Sequence, residues 1–331
     1  MKRQMTMALA IAAVISGAAL AQTKEVTIGY QDMLDPYRSA QETKEIEKAT
    51  GYKINWKQFG GGGEVIKAMA SGAVQVGEVG SAGIAAAVSR GERYELFWIL
   101  DDIGDAEALV VKNGSGINSV ADLKGKKIAV PFNSTTHFHT MVALEQAKVN
   151  PADVQILNMR PPEVRAAWQR GDIQATFIWD PVLAEVKKDG KVIISSGKIS
   201  ADTGKATFDG YIVNKDWAKA NRDFMVKFVK ILAASDDSYR KNMAKWTADT
   251  PEVKAVAKWS GAKPEDVPAG MALYRFPTLA EQNSKWLAKD GVAAKALAAT
   301  ATFQLSQKQI EKTLPDYSTV VNATYAQEAA K

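Results

Sequence analysis

Short apolar runs alternate with amphipathic stretches along most of the chain. Val26 to Tyr30 reads as a strand, Ala40 to Thr50 as a helix, Lys53 to Phe59 as a strand and Glu64 to Ala70 as a helix. Val74 to Val76 follows as a buried strand and Ile84 to Ser89 as another helix. This alternation predicts an α/β fold, a parallel sheet with helices on both faces, and ligands in such sheets collect beyond the carboxyl ends of the strands.

The pattern repeats. The segment GGGGEVIKAMASGAVQVGEVGSAGIAAAVSRG from Gly60 aligns without gaps with MRPPEVRAAWQRGDIQATFIWDPVLAEVKKDG from Met159, 99 positions on. Glu64 falls on Glu163, Val65 on Val164, Ala68 on Ala167, Gly72 on Gly171, Gln75 on Gln174 and Gly91 on Gly190. Two lobes of like fold are expected, with the chain crossing between them twice. The extended runs Glu107 to Val111 and Asp209 to Val213 are the expected hinge strands. The first lobe is then 22–110, the second 111–208, and 209–331 returns to the first. From Asp216 onward the pattern is helical, with Trp246, Trp259, Trp286 and Tyr317 as anchors on the first lobe.

The stretch Lys127 to Ala147 centres the functional reading. Ile128 to Val130 forms a strand, Pro131 to Ser134 a turn, and Phe138, Met141 and Leu144 recur at helical spacing. Ser134, Thr135 and Thr136 therefore stand at a helix start, where backbone N–H groups lack partners and the dipole favours an anion. A plain helix cap uses the same residue types. Gly80 and Ser81 open the helix at Ile84 in the matching place of the other lobe, so an anion between the two would favour closure.

Acidic side chains converge on the same region. Glu107 and Asp209 lie on the crossings, and Asp180 follows Trp179 in the loop opposite Ser81. Carboxylates are most often solvated or paired with lysine, but Glu107 precedes an apolar strand and Asp209 sits between Phe208 and Gly210. A buried carboxylate needs a cation, and a ligand ammonium supplies one. The pocket reads as a site for a small zwitterion, with Trp179, Tyr30 and Phe59 as packing surfaces.

Composition narrows the class. The 331 residues, 46% hydrophobic, suffice for two lobes. Lys2 and Arg3, the apolar run Met5 to Leu20 and Ala19-Leu20-Ala21 form an export signal, with Gln22 as the first mature residue. Without Lys2 and Arg3 the formal charge of +5 falls to +3, and no basic stripe points to nucleic acid. Absence of cysteine leaves no lipid attachment site after the cleavage point, so a free periplasmic protein is expected. His137 and His139, two apart, diverge on a helix and make no shared metal site. His137 is a candidate for the cleft, and His139 faces the lobe interior or solvent. Gly60 to Gly63 lack the lysine of a phosphate loop, and no Ser-His-acid set is evident. No cofactor or catalytic residue is implied.

The motifs AEALVVK (Ala106 to Lys112), DLKGKKIAVPFNSTTH (Asp122 to His137), NMRPPEVRAAWQRGDI (Asn158 to Ile173), FIWDP (Phe177 to Pro181) and TFDGYIV (Thr207 to Val213) closely resemble the periplasmic taurine-binding proteins of ABC transporters. The resemblance covers nearly all of the expected mature chain. It implies a type II periplasmic binding protein, two parallel-core α/β lobes joined by two hinge strands, that delivers taurine to a membrane permease. It further implies Ser81, Thr135, Thr136 and His137 around the sulfonate, Glu107 and Asp209 at the ammonium, and Gln31 and Arg160 as further contacts. A monomer is expected. The rivals are a binding protein for another small sulfonate or zwitterion, and an enzyme on the same scaffold such as the thiamine-pyrimidine synthases. The latter are expected to carry a cysteine-rich motif that this chain lacks.

Overall fold

The computed structural model describes residues 24–331; the expected export signal lies outside them. Ten strands form two five-stranded sheets. The first contains β1 (Glu25–Tyr30), β2 (Lys53–Gln58), β3 (Val76–Gly80) and β4 (Tyr94–Asp102). The second contains β5 (Glu107–Lys112), β6 (Lys127–Val130), β7 (Gln155–Asn158), β8 (Ala175–Trp179) and β9 (Gly190–Ser195), and β10 (Phe208–Asn214) returns to the first. The orders are β2-β1-β3-β10-β4 and β7-β6-β8-β5-β9.

Each sheet has a parallel core and one antiparallel insertion. β1 pairs parallel with β2 and β3, as β6 does with β7 and β8. β10 runs antiparallel between β3 and β4, and β5 antiparallel between β8 and β9. The expected all-parallel sheets are therefore mixed, because the strand entering each sheet from the other lobe arrives in the opposite direction. Residues 107–110, expected at the end of the first lobe, pair in the second sheet. The passages between sheets are 103–106 and 204–207, and β5 and β10 follow directly from them.

The repeat has a physical basis in matched bonds. Gln75 Oε1 accepts from Thr27 N at 2.9 Å, and Gln174 Oε1 accepts from Lys127 N at 3.2 Å. Glu64 holds Gly60 N at 3.0 Å, and Glu163 holds Arg160 N at 2.9 Å. Gly72 and Gly171 both take φ +78° just after their helices, a conformation that favours glycine. Three of the six identities thus serve like strand-start and helix-end roles in both lobes.

Two local expectations shift. The helix predicted over 40–50 breaks into Arg38–Glu42 and Glu45–Thr50, with Lys44 between them at φ +56°. The third strand starts at Val76 rather than Val74 and runs on to Gly80, carrying the chain to the cleft.

The first lobe's core gathers Ile28, Val76, Phe97, Tyr211 and Phe228, and the second's gathers Val130, Phe138, Leu144 and Phe177. The tail anchors dock as the pattern predicts: Trp286 meets Phe208 edge-on at 5.9 Å, Trp259 meets Tyr30 at 5.6 Å, and Tyr317 shares a 2.6 Å hydrogen bond with Ser89. Trp246 packs instead on Tyr239 at 4.9 Å, in a cluster with Leu34 and Ile103. Phe228 is fully buried against Tyr211 and Phe97, with ring centroids 5.3 and 6.2 Å away. Phe228→Ala is expected to cost about 3–5 kcal/mol in denaturant unfolding; a loss below about 1 kcal/mol contradicts this packing.

Candidate functional site

The carboxyl ends of the two sheets face each other across a cleft whose lobes close on a cavity of about 10 Å³, room for about one water. Its walls come from both lobes. Gln31, Met33, Gly62, Gly80 and Asp209 stand on the first side; Glu107, Asn133, Ser134, Thr135 and Trp179 stand on the second.

Three helix starts meet there. The helix Thr135–Gln146 is capped by Ser134, whose Oγ accepts from His137 N at 3.1 Å and donates to Pro131 O at 2.5 Å. The helix Ser81–Ser89 begins just after Gly80, and Gly62 opens the helix Gly62–Ala70. First-turn N–H groups have no intrahelical partners and carry the positive end of the dipole. The third start was not expected. Its signal was the Gly60 to Gly63 run, set aside for lack of a lysine, which is needed for a nucleotide phosphate and not for a smaller anion.

Glycine lets these starts approach. A Cβ built on Gly80 would lie 2.9 Å from Thr135 Cγ2, and one on Gly83 would lie 3.1 Å from Asn133 O in the other lobe. Larger residues would hold the lobes apart.

Two acids share this wall with the helix starts: Glu107 meets Thr135, and Asp209 pairs across the sheet with Gly80. Glu107 is 3% exposed and Asp209 4%, and neither has an ion-pair partner among the described residues. Glu107 Oε1 accepts from Thr135 Oγ1 and Oε2 accepts from Ser196 Oγ at 2.9 Å. Burial pushes the Glu107 carboxyl up to about 7 against the pull of these two hydroxyls. Burial also raises Asp209, helped by the charges of Glu107, Asp35 and Glu78.

The one fully buried guanidinium here is committed elsewhere. Arg38 lies 3.1 Å from Asp35 and 3.0 Å from Glu78, and donates to Gln31 O at 2.9 Å. Glu78 in turn accepts from Gln31 N at 2.9 Å, and its backbone O accepts from Gln31 Nε2 at 3.0 Å. Arg38 thus fixes Gln31 at the cavity wall rather than neutralising the acids within it.

Among the residues expected to bind, Gln31, Gly80, Glu107, Ser134, Thr135, Trp179 and Asp209 come together at the cavity. Four lie off its wall. The Ser81 hydroxyl accepts from Phe208 N at 3.3 Å, tying the second passage to the helix start. Thr136 is fully buried, with its Oγ1 2.8 Å from Ser134 Oγ. His137 stacks on Phe132 with ring centroids 4.4 Å apart. Asp180 accepts from Ala184 N at 2.7 Å and so serves the start of the next helix.

Arg160 is exposed and paired with Glu163 at 2.5 Å. Tyr30 and Phe59 pack away from the wall, Tyr30 against Trp56 and Trp259, and Phe59 beside Gly29. Trp179 reaches the cavity but also donates across the cleft to Asp32 Oδ1 at 2.7 Å. His139 proves interior, between Ser196 Oγ at 2.8 Å and Lys205 O at 2.9 Å. Met33, Gly62 and Asn133 also line the cavity. Among the described residues no group of three or more acidic or histidine side chains is placed to hold a metal.

Residues 24–260 match the family model described as the substrate binding domain of an ABC-type glycine betaine transport system. The chain belongs to this family. It is 34% identical over 317 residues to the taurine-binding periplasmic protein of Escherichia coli, covering 96% of this chain and 97% of that one. Among solved structures, the alkanesulfonate-binding protein of Xanthomonas axonopodis pv. citri bound to MOPS superposes with a TM-score of 0.73 at 23% identity, covering 88% of this chain and 95% of that one. A desulfurization enzyme superposes with a TM-score of 0.65 at 14% identity, covering 93% and 99%. Both structural likenesses establish the two-lobed fold of the family. The neutral helix starts and the closed cleft between lobes suit a family whose members hold small solutes for transport.

The buried titratable groups set a pH window. Burial lifts Asp35 to about 8 and Asp32 to about 6, and Glu107 stands at about 7. A raised acid keeps its proton when folded and loses it when unfolded, so its stabilisation is present at low pH and is lost as pH rises through the folded value. Burial holds His137 and His139 down to about 4, which works against the folded state only below their ordinary value near 6.5. Between about pH 6.5 and 8 Asp35 and Glu107 dominate. The ligand-free protein is expected to melt at falling temperature across that window, at about 1.4 kcal/mol per pH unit for each proton of difference. A rising profile would contradict the raised values of these buried acids.

Proposed function

We propose that this protein captures taurine in the interlobe cleft and hands it to the permease of an ABC importer. The observation that carries the reading is the pairing of opposite chemistries in one small closed space. Three neutral helix starts meet at the cavity, and two carboxylates without cationic partners stand on its wall. Taurine has a tetrahedral sulfonate for the first and an ammonium for the second, two carbons apart. The 34% identity to the E. coli taurine-binding protein over nearly all of both chains supports the same substrate.

In this reading the helix starts at Ser134 and Thr135, Gly80 and Gly62 receive the sulfonate through their first-turn amides, the Ser134 and Thr135 hydroxyls being committed to Pro131 O and Glu107. Glu107 and Asp209 receive the ammonium, and Trp179 covers the carbons. Ligand admission requires the lobes to part, since the cavity between them has room for about one water. Closure then brings helix starts from both lobes onto one anion, so the bound ligand favours the closed form by differential contact. The protein acts by binding without turnover, as a monomer free in the periplasm after loss of the leader ending near Ala21.

Taurine is expected to bind with micromolar or tighter affinity, worth about 8 kcal/mol or more. Titration calorimetry against taurine and ethanesulfonate tests the division of labour. Glu107→Gln and Asp209→Asn are each expected to weaken taurine at least tenfold, about 1.4 kcal/mol, while leaving ethanesulfonate nearly unchanged or improved. Equal losses for both ligands would show that the carboxylates do not hold the amine; tight binding of another solute with no heat from taurine would overturn the substrate.

A further inference from the structure

A second buried carboxylate stands beside Asp209. Asp101, on β4, is the direct cross-strand partner of Asp209 on β10. Partners directly opposite in an antiparallel pair project to the same face, with Cβ atoms about 4.5–5.5 Å apart. Asp101 is 1% exposed, and neither of its carboxylate oxygens has a hydrogen-bond partner. A register shift between Asp209 and Gly210 bends the strand at this point, and such irregularities re-aim side chains at the edges of sites. Asp209 itself reaches the cavity wall, whereas Asp101 does not.

We propose that Asp101 is a positioning residue of the cation end: it acts on the ligand through Asp209, sharing a proton with it when the site is free and releasing that proton when an ammonium group binds. The inference rests on the zwitterion reading of the same site.

Two carboxylates side by side in a buried place cannot both ionise without a cation. The groups that face Asp101 from neighbouring elements are Asp209 on β10, Asp35 ahead of the helix Arg38–Glu42, Asp102 on its own strand and Glu107 on β5. Tyr274, beyond the helix Val267–Met271, faces it as a neutral hydroxyl. Asp236, on the helix Arg222–Asn242, lies beside Asp35. None of these is a cation, and Arg38 is held by Asp35 and Glu78. Burial and this shared negative field raise both Asp101 and Asp209. A ligand ammonium beside Asp209 reverses the field, and the proton passes from the carboxyl pair to solvent with no covalent change in the ligand. The arrangement selects for a cationic group, because a neutral or anionic tail cannot replace the proton.

Calorimetry of taurine binding at pH 6.5 in two buffers of different ionisation enthalpy counts the protons released. The wild-type protein is expected to release a substantial fraction of one proton and to bind more tightly as pH rises from 6 to 8, by at most about tenfold per unit for one proton. Asp101→Asn is expected to release less than half as many and to flatten that pH dependence. Its ligand-free form is expected to melt at higher temperature than wild type at pH 8, because a buried unpaired acid has been removed. Asp101→Ser gives the same comparison should the asparagine variant not fold. Equal proton counts and equal pH slopes in wild type and variant overturn the proposal, as does a wild-type count of zero. Failure of the wild type to bind taurine at all would sink the substrate reading and this inference with it. Loss of taurine in Asp209→Asn with unchanged proton release in Asp101→Asn would sink this inference alone.

Discussion

Acidic side chains enclosed without positive partners govern the design of this cleft. Each such group costs several kcal/mol unless a proton, a cation or strong donors accompany it. Glu107 has two hydroxyl donors and Asp209 stands at the cavity wall; neither has an arginine or lysine. The choice of donors for the anion follows from this. A cationic side chain a few ångströms away would be captured by Glu107 or Asp209 and would fill the site from within. Helix starts supply positive potential without that hazard, because backbone amides are fixed and carry no mobile charge. An anion site made of neutral donors and a cation site made of bare acids are therefore two aspects of one constraint.

The surrounding polar network keeps the constraint local. Arg38 is fully buried between Asp35 and Glu78 and stacks over the rings of Tyr30 and Tyr37 at 5.0 and 4.6 Å. It binds the Gln31 carbonyl, so the residue at the end of β1 is held rigidly at the wall. Across the cleft, the Trp179 indole meets Asp32, linking the lobes by a hydrogen bond that only their approach can make. Together with Gly80 and Gly83, which leave room for Thr135 and Asn133, this makes closure a definite packed state.

Much of this was legible in the chain because the repeat is a repeat of bonds. Gln75 and Gln174, and Glu64 and Glu163, recur because equivalent strand starts and helix starts need the same acceptors. The helix starts at Gly80 and Ser134, and the burial of the acids Glu107 and Asp209, were readable from their neighbours. The antiparallel insertions were not, since a fully buried strand shows the same apolar run in either direction. Side-chain aim was also beyond sequence. Thr136, His137 and Asp180 stand within three residues of cavity residues, yet local backbone geometry turns each to another partner. Asp101 was invisible for a related reason: in YELFWILDD nothing distinguishes it from Asp102 until β10 brings Asp209 alongside.

A crystal structure of the protein with taurine tests the central claim most directly. The account predicts the sulfonate oxygens within about 3 Å of first-turn amides at Thr135 and of a helix start from the first lobe, and the ammonium within about 3 Å of both Glu107 and Asp209. A ligand lying in the reverse sense, or a sulfonate held by a lysine or arginine side chain, would contradict it.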